Sequence, residues 1–95
     1  MYEVVYTPKA LNELEECIQW YGERSISAAE RFIEAVKVGI DNIRREPLRH
    51  KNKYRDFFEI KVNKFPYDII YIIENERVVI ISIYHQKRDP RKKYK

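Results

Sequence analysis

At 95 residues the chain has room for one domain, because a protein of this length buries only about 60–65% of the surface that its unfolded chain exposes. Hydrophobic residues make up 44% and aromatics 14%, with only two glycines and four prolines, a composition that excludes both a disordered segment and a disulfide-stapled loop protein. The net charge of +4 hides a division: residues 1–43 carry four basic and eight acidic side chains, for −4, while residues 44–95 carry fifteen and seven, for +8. A basic half of this kind is suited to an anionic partner, either nucleic acid or an acidic protein segment, since clustered cations raise the local potential.

Tyr2 to Tyr6 is a short β-branched and aromatic run that reads as a first strand. Thr7-Pro8 ends it, with Thr7 as N-cap and Pro8 at the first helical position, where its missing N–H costs nothing. Leu11, Leu14, Ile18 and Tyr21 then recur at helical spacing to about Glu23, with Cys17 beside the stripe and Asn12, Glu13, Glu15, Glu16 and Gln19 on the other side. Ser27 with Glu30 three residues on reads as a capping box for a second helix, its stripe being Ala29, Phe32, Ile33, Val36, Ile40 and Ile43, and Pro47 ends it. The short connection makes the two helices an antiparallel hairpin.

From Lys53 the period becomes alternating, with Phe58, Ile60 and Val62 on one face and Glu59, Lys61 and Asn63 on the other. After Pro66, Tyr67 to Glu74 and Arg77 to Tyr84 read as two central strands joined at Asn75-Glu76, a register that sets Ile70 against Ile81, Tyr71 against Ile80, Ile72 against Val79 and Tyr67 against Tyr84. The helical hairpin covers one side of such a sheet. The side carrying Tyr67, Tyr71, Ser82 and Tyr84 is then expected to be open for a partner. Residues from about 86 form a basic tail with six Lys or Arg against one Asp, expected to be mobile. The fold class is therefore α+β, a helical hairpin on a four-stranded antiparallel sheet in the order β-α-α-β-β-β, as one domain over residues 1–95.

The apolar runs Ile69 to Ile73 and Val78 to Ile81 fall far short of the roughly 20 residues that a membrane helix needs, and the start Met1-Tyr2-Glu3 has no signal-peptide core. A cytoplasmic protein without membrane partners is expected. Cys17 has no partner for a disulfide and reads as a small core side chain; His50 reads as a solvated loop residue. Neither His50 nor His85 has neighbours at metal-ligand spacing, so no metal or cofactor is implied.

Several segments in order carry a resemblance: Tyr6-Thr7-Pro8-Lys9-Ala10 before an acidic helix, the Trp20-Tyr21 pair, Phe65-Pro66-Tyr67 leading into Ile69-Ile70-Tyr71, and the ending His85-Gln86-Lys87-Arg88-Asp89-Pro90. Together they resemble the RelE/ParE toxin superfamily, nearest its ParE-like plasmid-stabilisation toxins, from about Tyr2 to Pro90. The resemblance implies the toxin half of a type II toxin–antitoxin pair, which inhibits growth when freed and is held inactive by a cognate antitoxin encoded beside it. RelE-like members cleave mRNA on the ribosome without a metal, whereas ParE-like members block DNA gyrase.

Cleavage through a 2′-hydroxyl needs a base, cations to hold the phosphate, and an acid for the leaving oxygen. For that chemistry the candidates are His85 as proton carrier with Arg88 and Arg55 beside it. Lys61, Lys64, Tyr84, Lys87 and Arg91 are candidates for contact with a target or a phosphate. The interiors of the last two strands, where cleaving relatives tend to place arginines, contain none, and Phe58-Glu59 stands where many relatives carry Arg-Glu. The expectation is accordingly gyrase inhibition, the alternatives being a ribosome-dependent mRNA endonuclease or a binding module that has lost toxicity.

Overall fold

A computed structural model describes residues 2–94; Met1 and Lys95, the last lysine of the basic tail, lie outside them. The elements are β1 (Glu3–Tyr6), α1 (Pro8–Arg24), α2 (Ile26–Arg45), β2 (Lys51–Tyr54), β3 (Phe57–Lys61), β4 (Tyr67–Glu74) and β5 (Arg77–His85), with single 3-10 turns at Pro47–Arg49 and Pro90–Lys92. The sheet has five strands in the order β1-β5-β4-β3-β2, all antiparallel except β1, which runs parallel to β5 at one edge. The fifth is β2, a short and fully exposed edge strand whose polar sequence Lys-Asn-Lys-Tyr gives no alternating signal. An edge strand needs no buried face, which is why its residues read as loop.

Thr7 caps α1 as expected: its Oγ1 accepts from the Ala10 N–H at 3.1 Å and donates to the Ile81 carbonyl at 3.2 Å. The cap of α2 is Ser25, not Ser27. Ser25 closes α1 through its own N–H to the Tyr21 carbonyl and opens α2 by accepting from the Ala28 N–H at 3.2 Å, so one residue serves both helices. Ser27 lies inside the helix and accepts from Arg31.

The core lies between the helical hairpin and one face of the sheet, built on Phe32, Val36, Ile40 and Ile43 from α2 against Ile69, Tyr71, Val78, Ile80 and Ile83. Gly39 lets α2 approach the sheet, since a Cβ there would stand 3.1 Å from Ile69 Cδ1. Tyr67 and Tyr71 belong to this helix-facing side, contrary to the sequence expectation of an open tyrosine face. Tyr67 packs edge-on against Phe32, and Tyr71 stacks on Phe58 and donates its hydroxyl to the Pro47 carbonyl in the buried interior.

The β4–β5 hairpin turns at Asn75-Glu76, both with positive φ (50° and 64°), the left-handed pair of a two-residue turn. The expected register holds for Tyr71 with Ile80 and Ile72 with Val79 and then slips: Ile70 pairs with Ser82, and Tyr67 pairs with His85. Ile81 is the extra residue of a β-bulge.

The tail folds back on the sheet. Lys93 Nζ lies 2.9 Å from Glu59 Oε1 and 3.0 Å from Asp68 Oδ2, and Tyr94 donates to Glu59 Oε2 at 2.6 Å while stacking on Tyr54 and leaning on Phe57. Ile70 is fully buried although its neighbours Ile69 and Tyr71 take the helix side. The sequence offered no sign of this, because a run of Lys and Arg reads as solvated whether or not acidic partners wait for it on distant strands.

Replacing Tyr71 with Phe leaves the Pro47 carbonyl buried without its donor, and is expected to lower stability by about 1–2 kcal/mol in urea denaturation at unchanged m-value. Burial, followed by the hydrogen bond to Glu59, pushes the Tyr94 phenol up to about 12. The neutral phenol therefore stabilises the folded state below pH 10, and that contribution fades as pH rises through about 12. Ultraviolet difference titration should show one late-ionising tyrosine lost in Tyr94→Phe.

Candidate functional site

A cleft of about 410 Å³ opens between α1 and the adjoining ends of β4 and β5, lined by Glu13, Cys17, Trp20, Tyr67, His85 and Arg88 among others. Local sequence explains its α1 wall. Ala10, Glu13, Cys17 and Trp20 follow one another at three- and four-residue spacing and so lie in one line down the helix. Charge alone groups Glu13 with the solvent side of α1; its spacing from Ala10 and Cys17 is the signal that places it against the sheet.

Glu13 is the anchor of the site, its side chain only 11% exposed. Its Oε1 accepts from the Ser82 hydroxyl at 2.8 Å and from the Ile83 N–H at 3.1 Å, both just past the bulge in β5. Its Oε2 lies 3.7 Å from the Arg88 guanidinium. Beside it the Cys17 thiol and Tyr67 phenol are hydrogen-bond partners, and burial holds both above their ordinary values, Tyr67 far above. Both therefore keep their protons at neutral pH, and neither is a ready nucleophile or base. On the rim the Arg24 guanidinium lies 3.5 Å from the centre of the Trp20 ring.

His85 ends β5 with its ring edge-on to Tyr67, centroids 4.9 Å apart. Its Nδ1 accepts from the Lys87 N–H at 3.0 Å. That bond turns the Nδ1 lone pair toward the chain's own backbone and leaves Nε2 as the ring nitrogen without a bond to the turn.

Of the residues singled out from sequence, the fold brings His85 and Arg88 together in this cleft and disperses the others. Tyr84 is buried, pairs with Asp68 across the strands and donates to the Asp89 carbonyl, away from the cleft. Lys61 is exposed opposite Asp68 on β3. Arg55 sits in the β2–β3 turn, at the other end of β3 from Lys61, with φ 51° and its guanidinium 5.2 Å from the Tyr54 ring centre. Lys64 is in the β3–β4 turn with φ 70°, and Lys87 is exposed past the end of β5. Arg91 is forked on Asp89, with Nε to Oδ1 at 3.1 Å and Nη2 to Oδ2 at 3.0 Å, and these bonds hold the Asp89 carboxyl below its usual range. No three His, Cys, Asp or Glu side chains among the described residues converge as a metal ion would require.

A second concavity, about 430 Å³, runs between α1 and α2. It is apolar, with Leu14, Ile18, Ile33 and Val36 along it and Lys37, Asp41 and Arg44 at its rim.

Residues 4–90 match the family described as the ParE toxin of the type II toxin–antitoxin system parDE. The chain belongs to this family. It is thus a type II toxin of the RelE/ParE superfamily, and membership brings an antitoxin partner with it. The fold is shared with a chain of the chromosomal ParDE system of P. aeruginosa at 15% identity and TM-score 0.69, covering 90% of this chain and 96% of that one. It is also similar to the YoeB/ParE toxin of Agrobacterium tumefaciens (15% identity, 87% and 96% covered, TM-score 0.62) and to the isolated RelE toxin of E. coli (18%, 95% and 89%, 0.61). No curated protein sequence matches the chain. At these identities the structures establish the fold and leave the target open. No helix among the described residues is long and apolar enough to cross a membrane.

Glu13→Ala would strand the Ser82 hydroxyl and the Ile83 N–H, and is expected to cost about 1–3 kcal/mol in chemical denaturation. Arg88→Ala removes only a loose, largely exposed pairing and should cost less than about 1 kcal/mol in the same measurement.

Proposed function

We propose that this toxin works by binding, inhibiting DNA gyrase as ParE-like members of its superfamily do, and that it does not cut RNA. The observation that carries the reading is the engagement of His85, whose Nδ1 accepts from the Lys87 N–H and so serves the turn into the tail instead of facing a substrate. Among its neighbours Tyr67 and Cys17 are held protonated by burial, Glu13 is taken by Ser82, the Ile83 N–H and Arg88, and Glu16 accepts from Asn12.

The distribution of cations supports the same conclusion. A phosphoryl transition state needs cations converging on one point, and in the cleft Arg88 leans on Glu13 with Glu16 nearby. Lys61, Lys64 and Arg55 are spread over the turns and surface of the sheet, an arrangement suited to a broad electrostatic contact with a macromolecule. In this reading the cognate antitoxin covers the apolar groove between α1 and α2, and the toxin acts in the cytoplasm, inhibiting growth when the antitoxin is lost.

Supercoiling assays with purified gyrase, run beside primer extension on translated mRNA, separate the two activities: the expectation is inhibited supercoiling and intact transcripts. Codon-dependent cuts with normal supercoiling would establish the ribosome-dependent endonuclease instead. His85→Ala is expected to keep toxicity within about threefold of the parent at matched soluble expression, as for the loss of one peripheral contact, whereas proton transfer at His85 would make that variant inert.

A further inference from the structure

The C-terminal contacts form a second constellation of charged and aromatic side chains, separate from the α1 cleft and not used by the proposed function. Glu59 on β3 and Asp68 on β4 lie on neighbouring strands, and both are nearly buried, with side chains 9% and 12% exposed. Two carboxylates so placed repel one another unless a cation joins them. Lys93 is that cation, itself 19% exposed and within 3.0 Å of both. Gln86 Nε2 takes the remaining Asp68 oxygen at 3.0 Å and Tyr94 the remaining Glu59 oxygen at 2.6 Å, so all four carboxylate oxygens are satisfied, every one by the last ten residues of the chain. Tyr54 and Phe57 provide an apolar shelf for the Tyr94 ring, which stacks on Tyr54 and lies tilted against Phe57, 5.2 Å from each.

We infer that Lys93 and Tyr94 are a latch that closes the basic tail over the face of the sheet opposite the helices, and that the latch opens without unfolding the domain. Its hold is a handful of side-chain contacts at the chain end. Among the described residues the tail has no strand pairing, and the backbone bonds of Pro90–Lys93 are local to its own 3-10 turn. Local opening of such a segment is far less costly than opening the strands beneath it. When it opens, two carboxylates and an aromatic shelf are uncovered together, and the Lys93 ammonium leaves the face of the sheet. The latch thus sets whether this face presents a closed surface with its carboxylates paired to Lys93 or an acidic, aromatic pocket beside a freed basic strand of chain.

Limited trypsin digestion of the full-length toxin tests the inference, because Arg91 and Lys92 remain cleavable in every variant. Lys93→Gln is expected to speed removal of the tail by about tenfold while the domain unfolds at nearly the parental temperature. Lys93→Arg should stay closer to the parent, since it keeps the charge between the carboxylates. The Glu59→Gln/Asp68→Asn double variant carries the same expectation by the other partner, should Lys93→Gln fold poorly. In NMR spectra the ring-current shifts of Tyr54 and Phe57 should collapse in Lys93→Gln. Tail cleavage at the parental rate in both variants, or cleavage that in every chain follows global unfolding, would overturn the latch.

Discussion

The geometry of this toxin's site depends on one surplus residue in β5. Without the bulge at Ile81, the two central strands would continue the register of Tyr71 with Ile80, Tyr67 would face Tyr84, and Tyr84 would fill the position that His85 occupies beside α1. The extra residue reverses the outer end of the strand, because a one-residue slip moves every later side chain to the opposite face. His85 and Ile83 then line the cleft, and Tyr84 turns to the other side, where its hydroxyl meets the Asp89 carbonyl under the tail. The bulge is held by α1 at two points. Thr7 bonds the Ile80 and Ile81 carbonyls through its N–H and hydroxyl, and Glu13 takes the Ser82 hydroxyl and Ile83 N–H. The same helix that supplies the wall of the cleft therefore fixes which strand residues reach it.

A sheet with apolar residues on both faces must cover both, and a chain of this size has one helical hairpin to do it with. The second cover is made of the last few residues, and its chemistry differs from the first. The hairpin buries a continuous apolar stripe whose hold scales with area. The tail instead rests on an ammonium between two carboxylates and on one stacked ring, contacts that are worth much less and depend on charge. Unequal covers of this kind divide the molecule into a face that stays closed and a face that can be exchanged.

The two helices, four of the five strands, the Thr7-Pro8 cap, the turn at Asn75-Glu76 and the core stripe of α2 are legible in the sequence, because each is set by residues within a few positions of one another, whereas the polar edge strand β2 is not. The failures share the opposite property. The bulge has no glycine to mark it and exists because Thr7 and Glu13, about seventy residues earlier, receive its polar groups. The cap of α2 was placed two residues late because Ser25 and Ser27 offer the same hydroxyl, and only the length of the inter-helix connection chooses between them. Charge alone points Glu13 to solvent and makes the tail look mobile, for the same reason. A charged side chain reads as exposed until its partner is known, and here both partners were distant in sequence.

This chain shares its fold with both ParE-type and RelE-type structures, so fold alone does not separate cutting from binding, and the side chains of the cleft have to be read for it. A general base must present a lone pair toward its substrate, and the side chains around this cleft spend theirs internally. Nδ1 of His85 serves the turn into the tail, Glu13 serves the bulge and Arg88, and the Tyr67–Cys17 pair is sealed by burial. Each of these commitments also holds an element in place, so freeing any one for chemistry would loosen the joint between α1 and β5. A site assembled in this way is tied at every polar side chain to the joint between α1 and β5, so its chemistry and its architecture cannot be altered separately.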